Sequence, residues 1–581
     1  MIRKVAYFAA LAALAAAPAL ADGGDPPSRV ARLNYQSGSV SFRPGSVEEW
    51  TAATLNYPLT TGDHLWTEPG ALVEMHIDST AVRMAGGTAF SILNLDDRMA
   101  QLSVTQGSID VRIRDLAPGE AWEIDTPNSA ITLLGPGNYR VDADGDRNAT
   151  TVTVWNGAAE FTGAQGAAPV SVPVGESARI SGMDSLTQEI VRAAPFDDFD
   201  RWSMARDSRE DQSQSVRYVP RRMIGYEDLD GNGVWREYPP YGWVWVPRVA
   251  AGWAPYHYGH WAWVEPWGWT WIDDAPWGFA PFHYGRWVQT PFGWAWIPGA
   301  MTAPPVYAPA LVAFIGGPGF GMSLAFGGGG GVAWFPLGPG EVYRPAYSVS
   351  PAYVTQVNMA HVTVTNINAT NVRYVNQGVP GAVTAVRRDD FVHAQPVGRA
   401  AVAIDAREAS RAQVVGSTAQ VAPLRESVIA RPGGPSAQGP PARFADRQVV
   451  ARTAPPPLPL SFQTKQQALA ANQGRPLDAG TVDNLRRSAP APSPMVRTIG
   501  RAAGPGNNAG QNPPPANVQR PLNDRPQRAL DQTSRPAAQA EQPRNDRPVP
   551  AAAPANPAPS RQAAPPPKKV EKKPPKKADK T

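Results

Sequence analysis

The chain reads as a mainly β protein of several parts, and three observations carry that expectation. Short runs of alternating apolar and polar residues, cut by Gly, Pro and Asn, fill residues 28–182. A repeat rich in Trp, Tyr, Pro and Gly follows, and only the short stretch between them has a helical period. From about residue 400 the chain turns to Pro, Ala, Gln and Arg without a usable apolar period.

The first element is a secretory signal over residues 1–21. Arg3 and Lys4 precede an apolar run from Val5 to Ala17, and Ala19-Leu20-Ala21 is a small-residue cleavage site. The run is too short and Ala-rich for a membrane anchor. The mature protein is therefore expected from Asp22 onward, exported, with no transmembrane segment after cleavage. Its resting place would be the periplasm, the cell envelope or the medium. The 581 residues include no Cys, which excludes disulfides, thiolate metal sites, a thiol nucleophile and a lipid-modified N-terminal Cys.

Within residues 28–182, Val73, Met75 and Ile77 share one strand face, with Glu74, His76 and Asp78 on the other. Ile109, Val111 and Ile113 repeat that pattern against Asp110 and Arg112. A turn-and-return phrase recurs at Gln36-Ser37-Gly38-Ser39, Gln106-Gly107-Ser108 and Asn156-Gly157-Ala158, where Gly supplies the positive φ of a tight turn. Such spacing predicts an all-β domain of sandwich or jelly-roll-like type.

Gly62-Asp63, Ala71 to Ile77, Ser79 to Met84, Val104 to Val111 and Thr126-Pro127 together resemble a FecR-like domain over roughly residues 35–162. Gly135-Pro136-Gly137 departs from the Gly-Thr common before a late strand. The resemblance implies an envelope protein; FecR-type regulators relay a signal across the inner membrane to a sigma factor. That relay uses a cytoplasmic N-terminal segment and a membrane helix. This chain is expected to begin with a cleaved signal instead, so the relay is not carried over with the fold.

Residues 195–215 are the helical connector. Phe196, Phe199 and Trp202 fall at helical spacing, Asp197 and Asp198 enrich the first turn, and Arg206 and Arg209 lie near the end. Residues 220–345 form an aromatic repeat domain. Gly242-Trp243-Val244-Trp245, Gly268-Trp269-Thr270-Trp271 and Gly293-Trp294-Ala295-Trp296 are three copies of one phrase. Ala254-Pro255-Tyr256-His257-Tyr258-Gly259-His260-Trp261 returns 26 residues later as Ala280-Pro281-Phe282-His283-Tyr284-Gly285-Arg286-Trp287. Each unit is expected to be a hairpin, and the whole resembles a family of uncharacterised bacterial exported proteins with Trp/Tyr/Pro-rich repeats. Leu311 to Phe335 is apolar but broken by Gly and Pro, so a buried hairpin fits better than a membrane span, which needs about 20 unbroken residues. Residues 346–395 are expected to be an irregular β extension, and residues 400–581 a disordered basic tail.

Charge divides along the same lines. Residues 22–398 hold 24 Arg and no Lys against 38 acidic residues, while residues 399–581 hold 28 basic against 12 acidic. The lysine-free body excludes Schiff-base, P-loop and kinase chemistry. No Gly-x-Ser-x-Gly elbow or His-Glu-x-x-His stands in the chain, so no catalytic residues are assigned and the protein is expected not to be an enzyme. Asp228-Leu229-Asp230-Gly231-Asn232-Gly233 opens like a calcium loop, but Pro239 stands where the bidentate Glu belongs, and a polar turn explains it. His257, His260 and His283 do not make a metal site, because Arg286 replaces His260 in the second copy. No metal or cofactor is expected.

Trp-x-Trp sets two indoles on one strand face about 7 Å apart. Trp243, Trp245, Trp269, Trp271, Trp294 and Trp296 are thus the candidate ligand-binding rings, weighed against a role as core in a domain short of Leu and Ile. The function expected is a scaffold or binding role at the envelope, with a cell-wall polysaccharide or envelope protein as partner. The basic tail would meet an anionic polymer or surface, with no specific nucleic acid. The alternative is a FecR-type regulatory sensor that docks a membrane or envelope partner.

Overall fold

A computed structural model describes residues 24–499, apart from 165, 167, 184, 303, 317–329, 360–372, 430–436, 446 and 490–495. The signal segment, the Gly-rich run after Gly316, the alternation at Val362 and Val364, and the lysine-rich end lie outside the described residues.

The expected β architecture is present. The first region is two sheets that share one 15-residue strand, Met99–Ile113. Its first half pairs antiparallel with Ala89–Leu95 and parallel with Ala121–Asp125. Its second half pairs with Thr80–Met84 and Gly137–Asp144. The change of sheet falls at Gly107, whose φ is +94° and where a Cβ would stand 2.5 Å from Thr88 Cα. No L side chain fits there. The alternation read from sequence sorts the two faces: Val73, Met75, Ile77, Ile109, Val111 and Ile113 are all fully buried between the sheets. Strands continue past residue 182, because Thr187–Arg192 pairs with Glu176–Ser181 as an exposed edge.

The connector helix runs Asp198–Asp211, opened by a capping box between Asp197 and Asp200. It lies on the outer face of the first sheet, with only Phe199 as a buried large apolar residue.

In the aromatic region the repeat becomes register. Trp235 faces Trp245, Trp245 faces Trp296, and Trp296 faces Trp287 across four antiparallel strands. In the second hairpin, Gly259–Val264 with Gly268–Asp273, Trp261 faces Trp271 and Trp263 faces Trp269. The 26-residue period thus sets indole against indole across strands, the unit from which a sheet gains cross-strand packing. Val312–Gly316 and Gly331–Pro336 pair antiparallel on either side of the undescribed Gly-rich run.

Two expectations need correction. The described residues of 346–395, which exclude 360–372, hold the helices Pro351–Met359 and Arg388–Val392 and the strand Thr384–Arg387, rather than an irregular β extension. Residues 400–499, expected to be disordered, form an arm of short elements on the body, including the helices Phe462–Ala471 and Ala479–Ser488. Val450 donates to the Thr126 carbonyl at 2.8 Å and Phe462 to the Ser46 carbonyl at 2.7 Å. A periodic apolar face is needed only by a segment that builds its own core. Here Val421, Val428, Phe462 and Leu469 sit singly on a core already made by the two upstream regions.

Candidate functional site

The six candidate rings part company. Trp243 is 47% exposed, whereas Trp245, Trp269, Trp271, Trp294 and Trp296 are all buried. For those five the contact role is corrected to core packing. Their polar ends confirm the assignment to the interior: the indole N–H of Trp245 donates to the Leu229 carbonyl at 3.1 Å, Trp269 to Val421 at 2.9 Å and Trp296 to Tyr284 at 2.8 Å. Trp271 donates to the Asp273 carboxylate at 3.0 Å. Same-face spacing was read correctly, but that face is the inward one. A domain short of aliphatic side chains fills its interior with rings.

Trp243 escapes because it stands at the open end of its strand. It lies 4.9 Å from the Tyr218 ring, which in turn stacks on Trp235 at 4.5 Å and 23°. Phe292 and Tyr241, each 37% exposed, both lie against the Tyr238 ring, at 5.2 and 6.2 Å. Arg236 sits over the Phe292 ring, 5.4 Å from its centroid. Tyr218 and Phe292 lie outside the repeated phrases, so only Trp243 of this surface was legible.

The polar turn reading of 228–233 matches the geometry. Asp228 pairs with Arg32 at 2.7 Å. Asp230 accepts instead from the Ser215 and Gln214 backbone N–H groups, at 2.9 and 2.8 Å. The two carboxylates serve different partners, both within the protein. The histidines likewise diverge. His257 meets the Thr384 hydroxyl at 2.9 Å, and His283 meets the Ala308 carbonyl at 2.8 Å. Burial drives His283 down to about 3, so it stays neutral. Arg286, at the repeat position of His260, is buried and donates to the carbonyls of Glu341 and Gly285 and to the Asn358 side chain. Among the described residues no three His, Asp or Glu side chains gather as metal ligands.

What sequence reasoning missed is ionic. The outward residues Glu74, His76, Arg83 and Asp110 are not solvated; the connector helix covers them. Arg83, fully buried, reaches Glu74 at 2.6 Å, Asp207 at 2.9 Å and Asp110 at 3.5 Å. His76 faces Glu227 at 3.0 Å, Glu74 at 3.4 Å and Glu210 at 3.5 Å. Burial alone would lower the His76 pKa, but Glu210 and Glu227 overcome it and hold it up at about 10. Burial raises Glu210 to about 7, with Glu227 and Glu74 adding to it and His76 and Arg114 opposing. Asp110 is also raised to about 7, chiefly by burial, against the pull of Arg83. This bed joins three parts of the chain: the first sheet, the helix and the turn at Glu227–Leu229. The charges alternating on one strand face and the polar connector helix were its only signals.

Comparison with known proteins adds two matches within the chain. Residues 63–160 match the FecR protein family, and residues 226–341 match a family of unknown function, DUF6600. Two crystal structures of a "putative anti-sigma factor" from Parabacteroides distasonis ATCC 8503 also match, at 14% identity and a TM-score of 0.20. The match spans 22% of this chain and 60% of that one, under two thirds of its length. No curated protein matches. Both sequence resemblances are thereby shown for the stretches they cover: residues 63–160 form a FecR-like domain, and a DUF6600 region follows at residues 226–341.

Proposed function

We propose that the chain is an exported, non-enzymatic regulatory sensor of the FecR type, whose FecR domain docks a membrane or envelope partner. The observation that carries this reading is the FecR match over residues 63–160. Its non-enzymatic part is supported by the scarcity of catalytic signals in the sequence. No helix among the described residues is long and apolar enough to cross a membrane.

Deletion of the gene in its native host, with complementation by the full chain, tests this. The expected result is a defined set of transcripts that changes on deletion and returns on complementation, with the protein in an envelope fraction. An unchanged transcriptome under envelope stress, or a cytoplasmic protein, overturns the reading. A second reading, a scaffold that binds glycan or a partner, rests on Trp243 and Tyr218 at the open end of the aromatic sheet. Salt-resistant co-sedimentation with sacculi, abolished by Trp243→Ala, would favour that reading. Pelleting that salt abolishes would point to the basic tail instead.

A further inference from the structure

A cavity of about 370 Å3 lies where the FecR domain, the second aromatic hairpin and the C-terminal arm meet. That volume falls within the range of small-molecule sites, roughly 300–1,000 Å3, and junctions of this kind are where such sites form. Its walls include Tyr57 from the FecR domain, Trp263 and Trp267 flanking the hairpin turn, and Pro459 and Leu469 from the arm.

Its charges decide what it can hold. The charge of Arg29 is paired with Asp78 and Glu120 through Nη1. Asp63, raised to about 7 by burial, accepts the backbone N–H groups of Gly45 at 2.9 Å and Thr60 at 2.7 Å. Lys465 is spent on Glu265, and Arg486 pairs with Asp483 at 3.5 Å. Asp96 accepts the N–H groups of Arg98 and Met99. A charged ligand would give up its hydration and find each charge of the wall already paired. Its charges are thus balanced, but buried donors without a hydrogen-bond partner among the described residues remain, including the Trp263 indole N–H and one terminal nitrogen, Nη2, of Arg29.

We propose that this cavity is a binding site for a neutral, mainly apolar small molecule, a ring or short chain that carries hydrogen-bond acceptors for these unspent donors. The arm forms its cover. Pro456, Pro457, Pro459 and Leu460 form one wall; the stretch Ala454–Leu460 makes no hydrogen bond to the body among the described residues, and the Pro459 ring rests on Gly62, where a Cβ would stand 2.5 Å from it. A cover held by ring contact between two anchored ends can lift and reseat without breaking hydrogen bonds. The site stands independently of the sensor reading; if both hold, the ligand state and the seating of the arm are coupled.

The test uses the full mature chain and the neutral fluorophore N-phenyl-1-naphthylamine. The expected result is saturable one-to-one binding, displaced by 1-decanol and not by decanoate. Leu469→Trp, which fills the cavity, should weaken binding by about tenfold or more. Should that variant fold poorly, Val482→Trp fills the cavity from the rim helix and serves the same purpose. The proposal is overturned by absence of saturable binding, by affinity unchanged in both filling variants, or by equal displacement by decanoate. It is also overturned if the full chain binds nothing while a chain ending at residue 499 does, since the cavity would then hold the chain's own tail.

Discussion

Replacing Arg83 with Met should detach the connector helix from the FecR domain. Arg83 is fully buried and is shared by Glu74 and Asp110 of the sheet and Asp207 of the helix. Met keeps most of the apolar stem and removes the charge, leaving three buried carboxylates around one lost cation. Arg206 still holds Glu74, and Arg114 still holds Asp207. Asp110 keeps neither, but its raised pKa lets it take a proton instead. The loss is therefore expected in the range for breaking a buried pair from one side, about 3–5 kcal/mol, rather than three times that. Spent on one local unfolding, this multiplies the open population by roughly 2.2 to 3.7 powers of ten, at about 1.36 kcal/mol per tenfold. Amide hydrogen exchange resolved to Asp198–Asp211 reads that directly. Protection in the helix should fall by that factor, while the buried strand Leu72–Ile77 changes far less. A fall below tenfold would mean that apolar contacts of Phe199 and Trp202 hold the helix, and the ionic account would be wrong.

Three further outcomes follow from the same geometry. Helix protection, corrected for intrinsic exchange, should be greatest near pH 4.5 and decline through pH 7. Glu210 and Asp110 are raised to about 7, so the stability they confer is complete below their unfolded pKa and lost as pH rises through the folded one. His76, held at about 10, extends the decline to higher pH, and Glu210→Gln should flatten the step between pH 4.5 and 7 in an exchange profile. Trp245→Ala should cost about 3–5 kcal/mol in urea unfolding, and Trp243→Ala about 1 kcal/mol or less, because only the first opens a cavity. Equal costs would refute the division into core and surface. Gly107→Ala should destabilise by more than the ~1 kcal/mol of an ordinary conformational penalty, since its Cβ would also meet the Thr88 backbone; a change in melting no larger than that of an exposed loop glycine refutes the pivot.

How far the sequence could be read depended on whether a residue's partner was near in the chain. Val73, Met75 and Ile77 declared their face through period two alone, and both family resemblances rested on such local phrases. The helix from Asp198 announced itself by its first-turn acids and the basic residues near its end, while its capping box emerged only in the structure. Burial of the Trp pairs was harder. Trp-x-Trp states that two rings share a face, and says nothing of whether that face meets solvent or another sheet; the answer lay in the cross-strand register of Trp245 with Trp296. The ionic bed was less legible still, because Glu74, His76 and Arg83 carry the pattern of a solvated face. They are buried only because a polar helix more than a hundred residues downstream lies over them. The C-terminal arm carried the opposite illusion. Its composition is that of a chain unable to fold alone, which is sound physics for an isolated segment. It folds here by lending a few apolar side chains to a surface it did not build, with Lys465, the only lysine between Lys4 and Lys568, spent on Glu265. A polar helix over a charged sheet and a proline strap over a cavity share one property. Neither is held by a continuous apolar core, so these are the interfaces of this fold where local opening is expected first.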